Sequence, residues 1–149
     1  MPSGKVHFSH WKKGWVVEGV LIVLLLSLHH PFLALGSLIG YFLGQFITPD
    51  ADLVGITFGE GRMLRKLPVI GGFFVGYWTI YGAVFRKHHR SFWTHSYIFS
   101  TVIRFVYGFW WIGLFRYTET WFLLSVLGMF IGLCLSDGLH VWADMRYGD

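Results

Sequence analysis

Between Glu18 and Asp50 the chain carries no Asp, Glu, Lys or Arg. A stretch that long without formal charge does not suit the surface of a water-soluble domain. It is also too long for one membrane helix, which needs about 20 residues. His29-His30-Pro31 divides it. Proline is tolerated in the first turn of a helix, where its missing N–H has no partner to lose. The pattern predicts a hairpin of two short spans, at about 15–29 and 31–48. Each falls short of a full crossing, so the bilayer must thin locally or polar ends must sink into it.

Composition points the same way. Of 149 residues, 54% are apolar, 20% aromatic and only 13% charged, against about 25% charged in a soluble domain. The net charge of +4 therefore reads as a membrane-protein bias, and no nucleic acid is expected as a partner. Cys134 is the only cysteine, which excludes a disulfide framework and a thiolate zinc finger. Any metal must be held by His and carboxylates. One integral membrane domain over residues 1–149 is expected.

Residues 1–14 are polar and basic. The run from Trp15 to Leu28 has no small-residue cleavage site behind it and reads as a retained helix. Residues 49–67 form a polar loop. Residues 68–85 are apolar but broken by Gly71, Gly72, Gly76 and Gly82. Ser96–Phe115 is apolar except for Arg104, and Thr120–Ser136 carries no charge. Positive residues favour the cytoplasmic side. If 68–85 lies at the interface or re-enters, then Lys5, Lys12, Lys13, Arg62, Arg65, Lys66, Arg86, Lys87, Arg90 and Arg146 share one face, ten of the twelve basic residues. The fold class expected is all-α: a polytopic membrane bundle of about four transmembrane helices and one interfacial or re-entrant helix. A five-span arrangement stays open.

The chemistry concentrates in His88-His89-Arg90-Ser91-Phe92-Trp93-Thr94-His95-Ser96. His89 and His95 are six apart, which on one helix puts them on opposite faces. They converge only if His89 lies in the approach to a helix and His95 in its first turn, with Ser91 or Thr94 as N-cap. The same face also receives His7 and His10, Asp50 and Asp52 behind Pro49, and Asp137, His140 and Asp144. The last three fall within an arc of about 60° on one helical face. His140 and Asp144, at i and i+4, form a metal-ligand pair suited to zinc or another first-row divalent ion. Each residue has a plainer reading. A histidine at a membrane edge is often only interfacial, Asp-x-Asp often only a turn, and Asp137 a span terminator. Four segments converging on one face favour a metal site. His29 and His30 fall on the other face and read as a turn. Arg104 reads as an internal pair or as a marker of a path.

Met1-Pro2-Ser3-Gly4 with His7, Pro49-Asp50-x-Asp52, and His89-Arg90-Ser91-Phe92-x-x-His95 together resemble a family of metal-binding membrane proteins known from cyanobacteria and other bacteria. The resemblance covers most of the chain, and its most specific part is the His-Arg-Ser-Phe-x-x-His element. The family is distantly similar to membrane-bound metal-dependent hydrolases. Beyond these lies the superfamily of zinc phospholipase C and single-strand nucleases. The resemblance implies His7, Asp50 or Asp52, His89, His95, His140 and Asp144 as ligands of Zn2+, with Mn2+ or Fe2+ as alternatives. It also implies a bacterial inner or thylakoid-type membrane. Phe8 stands where the family often has Asp, and 68–85 is more apolar than its counterpart.

These readings predict a metal-dependent phosphoester hydrolase at the cytoplasmic face, acting on a lipid headgroup. Arg90 would hold a phosphate oxygen, and Asp52 or Asp137 would act as general base. The rival is a non-catalytic metal-binding or sensing membrane protein. A divalent-ion transporter ranks last, because it needs acidic or His residues deep in the spans and only Arg104 is read as deep.

Overall fold

The first hairpin turns at His29, the one non-glycine residue with positive φ (60°) among the described residues. The His30 N–H bonds Leu25 O and the His29 N–H bonds Leu26 O. This is the Schellman arrangement that ends a helix on a left-handed residue. Pro31 then opens the next helix. The punctuation predicted at His29-His30-Pro31 is therefore a turn, and both histidines are exposed.

The structure is a computed structural model that describes residues 4–47, 58–85, 97–111 and 119–147. These form six helices: α1 Gly4–Ser27, α2 Pro31–Leu43, α3 Phe58–Lys66, α4 Pro68–Phe85, α5 Tyr97–Phe109 and α6 Thr120–Tyr147. There is no strand among the described residues, so the all-α expectation holds. The bounds differ from the expected spans. The polar segment after residue 3 is helical and continuous with the apolar run, and α6 continues past Ser136 to Tyr147. Polar side chains at its ends do not stop a helix; only the backbone does. The loop expected at 49–67 contains α3.

Two helices, Pro68–Phe85 and Thr120–Arg146, are long and apolar enough to cross a membrane. Only 22% and 28% of their apolar windows are buried, so most of that surface faces outward and not into a protein core. Pro68–Phe85 is the segment expected to lie at the interface. By length and composition it qualifies to cross, and its helix continues without interruption at its glycines. Helices α2 and α5 have 13 residues each, roughly 20 Å at 1.5 Å per residue. Four full crossings are therefore not established by helix length.

The most extensive helix–helix contact joins α2 to α6. They run parallel: Phe32 meets Trp121 near their starts (5.9 Å between rings), and Gly44 lies against Ser136 near the end of α2. Each helix carries glycines four apart, Gly36 and Gly40 on α2, Gly128 and Gly132 on α6. A Cβ at Gly40 would land on the Met129 carbonyl oxygen, and one at Gly132 on the Ser37 carbonyl oxygen. The two backbones touch, and any side chain at these positions would part them. Small residues at this spacing are how apolar helices associate when burial from water supplies no drive.

Helix α1 runs antiparallel across this pair. The Trp11 indole N–H donates to Tyr41 O at 2.9 Å, and the Tyr41 hydroxyl donates back to Trp11 O. The rings stack at 5.5 Å. Gly14 leaves the room in which the Tyr41 hydroxyl and Leu139 sit. On the other side, Tyr77 of α4 and Tyr107 of α5 exchange bonds, each hydroxyl donating to the other's carbonyl at 2.6 and 2.8 Å. Trp78 and Tyr81 carry this aromatic layer onto Ile47 and Leu133.

Substitution should separate the two kinds of glycine. Gly40→Val or Gly132→Val drives carbon into backbone and should cost at least about 1–3 kcal/mol, the range for overpacking. Gly76 of α4 has nothing within 4 Å of its Cβ position. Gly76→Ala should be neutral or stabilise by up to about 0.5–1 kcal/mol through the unfolded chain. Thermal unfolding of the purified variants in detergent, read by circular dichroism, checks both.

Candidate functional site

Ser100, Thr101 and Arg104 share one face of α5, at i, i+1 and i+4. That face meets Asp137 of α6, and all four are buried. Arg104 Nη1 donates to Asp137 Oδ1 at 3.1 Å and Nη2 donates to Oδ2 at 2.8 Å. Nη1 also donates to Ile47 O at 2.9 Å and Nη2 to Ser100 Oγ at 3.0 Å. Nε donates to Ser100 O at 3.2 Å. All five guanidinium N–H groups are thus used. The Thr101 hydroxyl adds a 2.6 Å bond to Asp137 Oδ2. The cluster ties the end of α2 to α5 and α6.

Asp137 is a candidate general base by sequence, but both its oxygens are committed to Arg104, and one also to Thr101. Its position fits a helix clamp. Arg104 is the internal pair expected of a deep arginine, with a backbone carbonyl as a second partner.

Three residues later on α6 the side chains turn to another task. His140 is 6% exposed, and its Nε2 lies 3.4 Å from Asp144 Oδ2. That is longer than a good N–H···O bond. It is close to the separation of two ligands on a tetrahedral ion, roughly 3.3–3.4 Å when metal bonds are about 2.0–2.1 Å. The donor pair therefore fits a first-row divalent ion. His10 of α1 comes to the same end of α6, its ring edge-on to Trp142 at 4.9 Å. Arg146 sits over the Trp142 ring, 5.2 Å from its centroid. Burial, then the nearby charges of Lys13 and Arg146, hold the His10 imidazole below its ordinary range.

One end of the bundle gathers the relevant termini. The start of α1 meets the end of α6 through His10 and Trp142. Trp11 meets Tyr41 in the last turns of α2. The first turns of α5 meet Asp137, while Phe105 meets Phe130 further back at 5.2 Å. The segments carrying Asp50 and Asp52 and carrying His88–Ser96 issue from these ends. Asp50, Asp52, His88, His89, Arg90 and His95 lie outside the described residues, as does the side chain of His7. Among the described residues no group of three or more His, Cys, Asp or Glu converges. What is described of the expected ligand set is the His140–Asp144 pair.

Sequence reasoning missed Glu18. It stands in a stripe of buried residues on α1 with Trp11, Gly14 and Leu25. Their spacing of three, four and seven is the signal that would have placed it inward.

Two outcomes follow. Arg104→Met or Asp137→Leu alone strands a buried charge and should cost about 3–5 kcal/mol, whereas the double substitution should recover most of that loss; a double-mutant thermal unfolding cycle reads the difference. For His10, the folded protein binds its proton less readily than the unfolded chain, whose imidazole titrates near 6.5. The stability it contributes is present above that pH and is lost as pH falls below it. Thermal midpoints measured from about pH 8 to 5 should therefore fall more steeply in the wild type than in His10→Gln.

Comparison with protein-family models, with curated proteins and with solved structures finds no match to this chain.

Proposed function

We propose that the chain is an integral membrane protein that binds a divalent metal at its cytoplasmic end and hydrolyses a phosphoester there, with a lipid headgroup as substrate class. The observation that carries this reading is the common end of the bundle. The start of α1, the end of α2, the start of α5 and the end of α6 meet where the candidate ligands leave the helices, and His140 and Asp144 stand there at ligand spacing. Membrane insertion is supported by the apolar surfaces of α4 and α6 and by exposed Val16, Val20, Val23, Leu24 and Leu35 on α1 and α2. Contiguous apolar surface of that extent is foreign to a soluble monomer. In the proposed arrangement four segments cross a bacterial inner or thylakoid-type membrane and 68–85 lies at the interface or re-enters. The likeness of its motifs to bacterial metal-binding membrane proteins supplies the remaining ligands: His7, Asp50 or Asp52, His89 and His95, with Zn2+ as the favoured ion and Mn2+ or Fe2+ as alternatives.

A bound divalent ion would supply an acidified water and polarise the phosphoryl group. The chain's own residues do the rest. Arg90 grips a phosphate oxygen, because its forked donors match phosphate and it has no lone pair to offer a cation. Asp52 takes the proton of the attacking water. Asp137 is left to the helix clamp. That commitment is also what favours the second reading, a metal-binding or sensing protein without turnover, since it removes one of two candidate bases.

The experiment is metal content and turnover of purified protein. His89→Ala, His95→Ala and His140→Ala should each lower bound metal, and His29→Ala, at the opposite end, should not. Arg90→Lys should keep metal and lose turnover of a phosphodiester reporter, because the bidentate contact is gone. Undiminished metal in all three histidine variants removes the site. Full metal with no hydrolysis across lipid and nucleotide substrates hands the chain to the binding reading.

A further inference from the structure

Glu18 lies on α1 eleven residues before His29, roughly 16 Å along the helix from the turn. That is about half the thickness of a bilayer core. The residue is fully buried. Among the described residues neither carboxyl oxygen has a hydrogen-bond partner, and neither does the buried Ser37 hydroxyl. Ser37, on α2, is the polar group set beside it, near but outside hydrogen-bond geometry. A carboxylate needs several donors or a cation, and the described residues supply neither. Arg104 is the buried arginine or lysine among the described residues, and Asp137 neutralises it. Tyr41 of α2 is the titratable group placed against Glu18, and its hydroxyl is already given to the Trp11 carbonyl. On α6, Asp137 faces Arg104 and His140 faces Asp144. Helix α3, which touches α1, contributes Arg62, Arg65 and Lys66, none of which is buried.

We propose that Glu18 is a proton-binding site in the middle of the bundle, occupied at neutral pH, on which the close contact of α1 with α2 depends. An isolated carboxylate in such surroundings carries a desolvation cost that it escapes by keeping its proton. The neutral acid needs only one acceptor, and a small rotation offers the Ser37 oxygen. Loss of the proton would leave an unsolvated charge one turn from Gly14, where the Tyr41 ring of α2 packs against α1, and would drive α1 outward. The inference is independent of the metal site.

Two measurements test it on the full chain in detergent or bilayers. The first is infrared spectroscopy of wild-type protein with and without carbon-13 glutamate. Only Glu18, Glu60 and Glu119 take the label, and Glu119 is exposed. A protonated-carboxyl carbonyl band that shifts with the label at about pH 7, and that is missing from Glu18→Gln, is the result expected. Carboxylate bands alone overturn the proposal, and that reading needs no variant to fold. The second is thermal unfolding of Glu18→Gln against wild type. The two midpoints should draw together below about pH 4 and separate as pH rises, with the glutamine variant the more stable, because the unfolded wild type releases a proton that the folded form keeps. A glutamine variant less stable than wild type throughout, or a wild-type midpoint raised by sodium or potassium, would mean an ionised Glu18 holding a cation and would also overturn it.

Discussion

Helices α2 and α6 touch backbone to backbone, and only glycine permits it. Gly36 and Gly40 rest on the carbonyls of α6, while Gly128 and Gly132 rest on those of α2. Everything else is registered on this parallel pair. It brings Ile47 O level with Asp137, so that one guanidinium from α5 can reach both. It presents Tyr41 and Leu139 side by side, and α1 fits them with Gly14. In a bilayer the lipid is as apolar as the helices, so burying oil gains little. Close dispersion contact and satisfied polar groups must hold the bundle together.

The interior answers the problem of buried charge in two ways. Arg104 and Asp137 neutralise one another, and Thr101, Ser100 and Ile47 O absorb the spare donors and acceptors. Such a cluster contributes little net stability but fixes which helices meet and in what register. Glu18 has no such company. One site is a closed clamp and the other an open valence. That contrast is why structure is assigned to the first and a bound proton to the second.

The sequence made some of this legible. His29-His30-Pro31 predicted the turn because proline and a left-handed residue act locally on the backbone. Arg104 reads as an internal pair or as the marker of a path, because a charge deep in a span needs a partner. Its identity, 33 residues away at Asp137, depends on tertiary register and was assigned a different role. The glycines at i and i+4 on both helices were visible, but spacing alone does not say which helix each pair faces. Glu18 marked the edge of a charge-free run, and reading it as an edge hid its inward-facing position. The expected spans begin after the polar start of α1 and stop at Ser136 because composition changes there, although helical hydrogen bonding continues through both segments. The pairing of His140 with Asp144 followed directly from i, i+4 geometry.

A shared site requires the segment His88–Ser96 to reach the end of the bundle where His140 and Asp144 stand. That depends on whether residues 68–85 cross the membrane. Single cysteines at Lys5, Glu60, Lys87 and Arg146, in a Cys134→Ser background, can be labelled from each side of sealed vesicles with an impermeant thiol reagent. All four should react from the cytoplasmic side alone. Labelling of the Lys87 position from the side opposite Arg146 would separate His89 and His95 from His140 and contradict the shared site.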